Sequence, residues 1–217
     1  VFRRRQRQMC IRDSNPTGTV LSLRDIEKFL TKIPDNIIVL IDQAYFEYIE
    51  EEEFKIPFTL VEKFKNLIIS RSFSKAHGLA AFRLGFSISS EEIADYLNRV
   101  RQPFNANSLA LAAGIEAIED QEHISKSVKL NKLGLKKVKA KFSDLGFEYI
   151  DSHGNFISFD SKNDSDKSFD FFLQKGIILR SLKVYEMPKH LRVSIGTEEE
   201  MQKFNKILEE YARTIEQ

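Results

Sequence analysis

Residues 36–42 read NIIVLID, an unbroken β-branched apolar run closed by an acid. Such a run is the pattern of a strand buried on both faces of a parallel sheet. A second run covers 67–70, after Asn66, and a third strand is expected over about 83–87. Elsewhere the period changes to that of a helix. Residues 22–33 (SLRDIEKFLTKI) put their apolar side chains on one face, with Ser22 as N-cap and Asp25 three positions on. Helical periodicity returns at about 91–100 and 108–118. After about Gln121 one long amphipathic helix runs to a stop at Gly146. Short strands near 147–150 and 155–159 follow, then a helix over about 167–175 closed by Gly176. Strands near 177–180 and 191–195 and a closing helix over about 198–211 complete the chain. The first half therefore reads as the end of a doubly wound α/β domain, and the second as a smaller α+β domain. SNPTGT (14–19) is turn chemistry and SKNDSDKS (161–168) a polar loop. There are no internal repeats and no low-complexity tracts.

Composition narrows the classes. The 217 residues are 42% apolar and 30% charged, which suits a globular core with a soluble surface. The net charge of +1 argues against a general nucleic-acid binder. No apolar run approaches the roughly 20 residues of a membrane span. Cys10 is the single cysteine, so neither an internal disulfide nor a cysteine-built zinc site is available. This usage fits a reducing compartment.

The charge is unevenly placed. Residues 1–14 (VFRRRQRQMCIRDS) hold five arginines, against eight in the other 203 residues. Three readings of this head stand: a basic arm, a targeting segment, or a stretch foreign to the gene. It lacks the apolar core of a secretory signal and the spacing of an amphipathic transit helix. The third reading is favoured, and the head is set apart from the fold.

Candidate chemistry gathers at the expected carboxyl ends of the first-half strands, where open α/β sheets bind ligands. Asp42 closes one strand and Tyr45 follows it. Ser72, Ser74 and Lys75 follow the next, and Arg83 lies beyond a glycine-containing turn. An acid, a phenol, two hydroxyls, an amine and a guanidinium suit a phosphorylated aromatic aldehyde. A lysine forms a Schiff base with the aldehyde. A carboxylate keeps a pyridine nitrogen protonated, so that the ring accepts electrons. The hydroxyls and the guanidinium hold phosphate. Each element alone is more often a helix cap, a chance Ser-x-Ser-Lys or a surface ion pair; their order and spacing carry the reading.

With these motifs in view the chain resembles fold-type-I aminotransferases dependent on pyridoxal 5′-phosphate, and within them the histidinol-phosphate aminotransferase group. NPTGT, IDQAYFEY, SRSFSKAHGLAAFRLGF, RQPFNANSLA, GNFISFD, GIILRSL and HLRVSIGT occur in the family's order from Asn15 to the C-terminus. The lysine and Asp-x-Ala-Tyr motifs point to the superfamily. RQPFNANSLA and LRVSIGT with the upstream GIILR point to the narrower group. The implied fold is α/β, the C-terminal part of a fold-type-I transferase. The expected division is a head over 1–14, a partial large cofactor-binding domain over 15–120 and a small domain over 121–217.

The resemblance also implies roles. Lys75 looks like the catalytic lysine that holds the cofactor and shuttles a proton, and Asp42 like the partner of the pyridine nitrogen. Tyr45 and Asn15 look like partners of the ring 3-oxygen, and Ser72, Ser74 and Arg83 like phosphate ligands. Arg192 looks like the fork for the substrate carboxylate, and Arg180 like a ligand for the substrate's own phosphate. Asn105 lies near the domain junction. The implied reaction is a ping-pong transfer from glutamate to imidazole-acetol phosphate, giving histidinol phosphate and 2-oxoglutarate, by a cytoplasmic homodimer with no metal, nucleic acid or membrane partner. Transfer to aromatic 2-oxo acids is the alternative, and a decarboxylase of similar fold a more distant one.

The departures are informative. Gln43 stands where the family usually has Glu, Ser72 where it has Thr, Ala81 where Gly is common, and Ser14 where a second Asn is usual. Little loss is expected from Gln43. His77 replaces a usual aromatic and is read as packing rather than cofactor-adjacent; His123, His153 and His190 have no metal spacing. The family's chains are also longer, and their preceding parts supply an aromatic that stacks on the cofactor and a tyrosine that reaches the partner subunit. Half a doubly wound sheet leaves an open edge and an uncovered apolar face. This chain by itself is accordingly expected to be poorly soluble and weakly active.

Overall fold

The computed structural model describes residues 9–11 and 15–215. These form two compact units: residues 9–11 together with 20–124, and residues 15–19 together with 125–215. The expected division at residue 120 keeps the Asn15–Thr19 turn with the first domain, whereas the structure packs it in the second unit.

The first unit is built on a four-stranded sheet. Strand β1 (Met9–Ile11) pairs in parallel with β2 (Val39–Asp42), and β2 with β3 (Leu67–Ser72). The sequence reading sets residues 1–14 apart, yet the backbone of Met9–Ile11 takes up the free ladder of β2. Backbone pairing asks only for an extended segment. The rest of the head lies outside the described residues.

Helix α1 (Leu23–Leu30) starts as its cap dictates: the Ser22 hydroxyl accepts the Asp25 N–H at 3.1 Å and donates to the Asp25 carboxylate at 2.7 Å. Its buried face, Ile26 and Leu30, packs with Val39, Ile41, Leu67 and Ile69 of the sheet. The one-turn helix α2 (Leu60–Lys63) adds Leu60 and Val61 to the same core.

Strand β4 (Gly85–Ser89) runs antiparallel to β3. Parallel pairing needs a crossover, usually a helix. Residues 73–84 hold only turns, and the Phe73 N–H reaches the Leu84 carbonyl at 3.1 Å, so the chain doubles back. Helix α3 (Glu91–Val100) and helix α4 (Ser108–Glu119) follow. Helix α4 buries Ala110 and Gly114 and leaves Leu109, Leu111, Ile115 and Ile118 exposed.

Helix α5 (Gln121–Asp144) ends where Gly146 takes a left-handed φ of +67°. The second unit's sheet has the order β5 (Tyr149–Ile150), β6 (Phe156–Asp160), β8 (His190–Ser194), β7 (Arg180–Ser181), antiparallel throughout. Helix α6 (Ser165–Gln174) precedes β7, and helix α7 (Glu198–Ile215) closes the described chain. The core is aromatic: Phe142 stacks on Phe159 at 4.6 Å, and Phe172 on Phe204 at 6.0 Å. Buried Tyr211 keeps its hydroxyl satisfied by donating to the Ser161 carbonyl at 2.8 Å, with the Ser168 hydroxyl at 2.7 Å. Burial holds its phenol above the ordinary range.

The Asn15–Thr19 turn docks on this unit. Ser158, fully buried on β6, donates to the Pro16 carbonyl at 2.5 Å, and the His153 N–H donates to the Gly18 carbonyl at 2.9 Å. Gly18 sits at φ +79° against Ser152, with no room for a Cβ. Among the described residues no helix is long and apolar enough to cross a membrane.

Candidate active site

The carboxyl ends of the parallel strands β2 and β3 carry the first group of side chains. Their register sets Asp42 opposite Ser70. The Asp42 Oδ1 accepts the Ala44 N–H at 3.0 Å, and the Ser70 hydroxyl lies 3.5 Å away. A carboxylate fixed this way is oriented before any ligand arrives.

Ser72 ends β3, and its Oγ accepts the Ser74 N–H at 3.0 Å. The next turn closes through the Gly78 N–H to the Lys75 carbonyl at 3.0 Å and the Leu79 N–H to the Phe73 carbonyl at 2.9 Å. Arg83 follows a 3₁₀ turn at the left-handed φ of 53°, and its Nη1 lies 3.4 Å from the Ser74 Oγ and 3.0 Å from the Ala80 carbonyl. Two hydroxyls and a guanidinium are thereby linked side by side, a donor set that suits a phosphate. Lys75 sits half-buried with its Nζ 5.1 Å from the centre of the buried Tyr45 ring. The structure thus links Ser72, Ser74 and Arg83 with one another, and Lys75 with Tyr45. Asn105 bonds instead to Arg101 at 3.2 Å.

Behind these residues lies an arrangement that sequence reasoning passed over. Gln43 is fully buried; its Nε2 donates to the Ile56 carbonyl at 3.0 Å, and its Oε1 accepts the Arg71 Nε–H at 3.0 Å. The Arg71 guanidinium lies between the rings of Phe46, at 3.5 Å, and Phe58, at 4.2 Å. Arg71 and Gln43 thereby tie together the strand ends that carry Ser72 and Asp42. The only hint in the sequence is a charged residue placed directly after an apolar strand. Arg71, Phe46, Phe58 and Ser72 also line a cavity of about 450 Å³. His77 packs on Phe73 at 4.9 Å, and burial chiefly holds its imidazole below the ordinary value, with His123 and Arg71 adding to the effect.

The second unit holds Asn15, Arg180 and Arg192. Arg192 donates from Nη1 to the Asn15 Oδ1, which leaves the Asn15 amide NH₂ as a donor. The guanidinium lies 4.9 Å from the Phe156 ring centre, and its Nε is buried without a hydrogen-bond partner. Arg180 is exposed and stands opposite Arg192 in the register of β7 and β8. Like charges directly opposed across a ladder are unfavourable unless an anion answers them. The orphaned Nε and the opposed pair therefore both fit an anionic ligand. No group of three or more metal-ligating side chains occurs among the described residues.

Comparison with known proteins places the chain in a family. The family model described as aminotransferase class I and II matches residues 13–208. Histidinol-phosphate aminotransferase 1 of Nitrosococcus oceani is 41% identical over 196 residues, covering 90% of this chain and 53% of that protein. Histidinol-phosphate aminotransferase 2 of Haemophilus influenzae is 47% identical over 191 residues, covering 88% and 52%. The chain thus spans about half the length of the curated relatives it matches. Among solved structures, histidinol-phosphate aminotransferase from Sinorhizobium meliloti, in complex with pyridoxal-5′-phosphate, aligns with a TM-score of 0.87 at 24% identity. It covers 94% of this chain and 57% of that one. The Clostridium acetobutylicum enzyme of the same name gives 0.87 at 21% identity, with 94% and 63% covered. At these identities the structures speak for the fold.

Proposed function

The chain belongs to the aminotransferase class I and II family, and from that footing we propose that it carries the cofactor and substrate groups of a pyridoxal 5′-phosphate-dependent aminotransferase of histidine biosynthesis. The transfer runs reversibly from glutamate to imidazole-acetol phosphate, giving histidinol phosphate and 2-oxoglutarate. The observation that carries this reading is the linked Ser72–Ser74–Arg83 cluster on the turn that holds Lys75.

When bound, pyridoxal 5′-phosphate supplies an aldehyde that joins amines and a ring that takes up an electron pair. Every other task falls to side chains. Lys75 would hold the aldehyde end through Nζ, and its amine would be the group placed to move a proton at the substrate carbon. Asp42, held by the Ala44 N–H, keeps the ring nitrogen protonated. Ser72, Ser74 and Arg83 grip the phosphate. Tyr45 donates to the ring oxygen.

In the second unit, Asn15 keeps its NH₂ as a donor, because its carbonyl oxygen is taken by Arg192. Arg192 binds carboxylate with its unpartnered Nε edge, and Arg180 binds the substrate phosphate. The opposed arginines favour a phosphorylated acceptor over a singly charged aromatic 2-oxo acid. The resemblance further supports a cytoplasmic homodimer for the longer protein.

The test is to add pyridoxal 5′-phosphate to the chain, reduce with borohydride and map the adduct. Labelling confined to Lys75 and lost in Lys75→Ala is expected; labelling spread over surface lysines defeats the reading. Equal rates on imidazole-acetol phosphate and phenylpyruvate would remove the narrow assignment. A second reading, that this chain alone binds without turning over, is favoured by the exposed apolar side of α4. Turnover by the 217-residue chain would discard it.

A further inference from the structure

The turn that presents Lys75 is held by a side chain outside the set already described. His123 stands at the start of α5 in the first unit, its own N–H capped by the Asp120 carboxylate at 2.9 Å. Its Nε2 lies 3.1 Å from the carbonyl of Ala76, the residue that follows Lys75. The same ring lies beside Gly78: a Cβ built there would sit 3.6 Å from Nε2 and 3.9 Å from Cε1. Gly78 holds φ +72°, and its N–H closes the turn onto the Lys75 carbonyl.

We propose that His123 is a positioning residue for Lys75, fixing the Ser74–Gly78 turn by an Nε2–H bond to the Ala76 carbonyl. The deduction rests on the reading of Lys75 as the cofactor-holding lysine. A carbonyl oxygen only accepts, so the nitrogen facing it carries the proton. The neutral Nε2–H tautomer and the charged imidazolium both meet that need, and the bond persists in either state. Ala76 is buried at 1% exposure, so its carbonyl has little water to fall back on if the donor is removed.

Metal binding does not account for this histidine. His123, His77, Glu116, Glu119 and Asp120 line a common cavity of about 450 Å³, yet no group of three among the described residues has the geometry to hold a metal. The Nδ1 of His77 is buried and without a hydrogen-bond partner. A reacting amine must be held within a fraction of an ångström of its productive place. The turn is also closed by hydrogen bonds within residues 72–84 themselves. His123 adds a hydrogen bond to the turn's backbone from another element.

Two variants separate bond from bulk: His123→Phe keeps a ring and loses the donor, and His123→Gln keeps an N–H donor. The first readout is hydrogen exchange of residues 74–80 in the 217-residue chain without cofactor. The Phe variant is expected to exchange the Gly78 and Leu79 amides roughly 3- to 10-fold faster, the scale of one net hydrogen bond. The Gln variant should stay near wild type, and peptides from β6 and β8 should not change. The second readout is borohydride-trapped labelling of Lys75 at sub-saturating pyridoxal 5′-phosphate, reduced several-fold in the Phe variant and rescued in the Gln variant. Unchanged exchange in the Phe variant overturns the proposal, as does faster exchange with undiminished labelling. Equal loss in both variants also overturns it, leaving only packing. If wild type is not labelled at Lys75, the proposed function falls for this chain, while the exchange comparison still decides whether His123 holds the turn.

Discussion

Replacing Arg71 by Ala tests whether the paired strand ends depend on the guanidinium held between two rings. The structure sets the size of the effect. Phe46 and Phe58 lie 3.5 and 4.2 Å from the guanidinium carbon, and each such contact contributes ~0.5–2 kcal/mol depending on desolvation. Arg71 also donates to Gln43, a side chain with no exposure at all. Removing the donor orphans a buried oxygen, which costs about 1–3 kcal/mol. The terms share one side chain and do not add fully, so Arg71→Ala is expected to destabilise the first unit by about 3–5 kcal/mol. Arg71→Lys keeps the charge but loses the stacked plane and the Nε–H, and should lose about half as much. Urea denaturation followed by tyrosine fluorescence gives the loss. Pulse-labelled exchange over β2 and β3 assigns it to the first unit. A loss below about 1 kcal/mol for Arg71→Ala, or a Lys variant as stable as wild type, would refute the reasoning.

Three further outcomes follow from geometry already given. Tyr211→Phe removes a buried hydroxyl shared by Ser161 and Ser168 and should cost the second unit about 1–2 kcal/mol, read as a lowered thermal midpoint. Gly18→Ala places a methyl against Ser152 at φ +79° and should destabilise by about 1–3 kcal/mol, with faster exchange of the His153 amide that bonds to the Gly18 carbonyl. Burial, then Glu47 and Tyr45, push the Tyr48 phenol from 10.0 up to about 12. The folded state thus holds this proton longer than the unfolded chain does. The stability it contributes is complete below pH 10 and is lost as pH rises from 10 through about 12, a slope that Tyr48→Phe should flatten in alkaline denaturation.

Much of this architecture lies open in local patterns. Ser22 and Asp25 announce the start of α1, and the apolar runs ending at Asp42 and Ser70 announce two parallel strands. Gly146 and Gly176 mark helix ends, both with positive φ. The direction of β4 does not, because an apolar run looks alike in either orientation and only the turns between 73 and 84 decide it. The strand expected over 177–180 shrinks to Arg180–Ser181, since the ladder with β8 supplies partners only there. The Ser72–Ser74–Arg83 cluster was legible because its members lie within twelve residues. Arg71 on Gln43 and His123 on Ala76 join residues 28 and 47 positions apart, and no spacing rule encodes such contacts.

The Asn15–Thr19 turn carries a further consequence, for synthesis. Its anchor, Ser158, lies 142 positions downstream of Pro16. At about 5–20 residues per second, the turn is made roughly 7–28 s before its partner. The strands of the first unit pair across far shorter stretches and can assemble while the turn still lacks its seat. A pause in translation after residue 124 would prolong that exposed interval, whereas one before residue 15 would leave it unchanged.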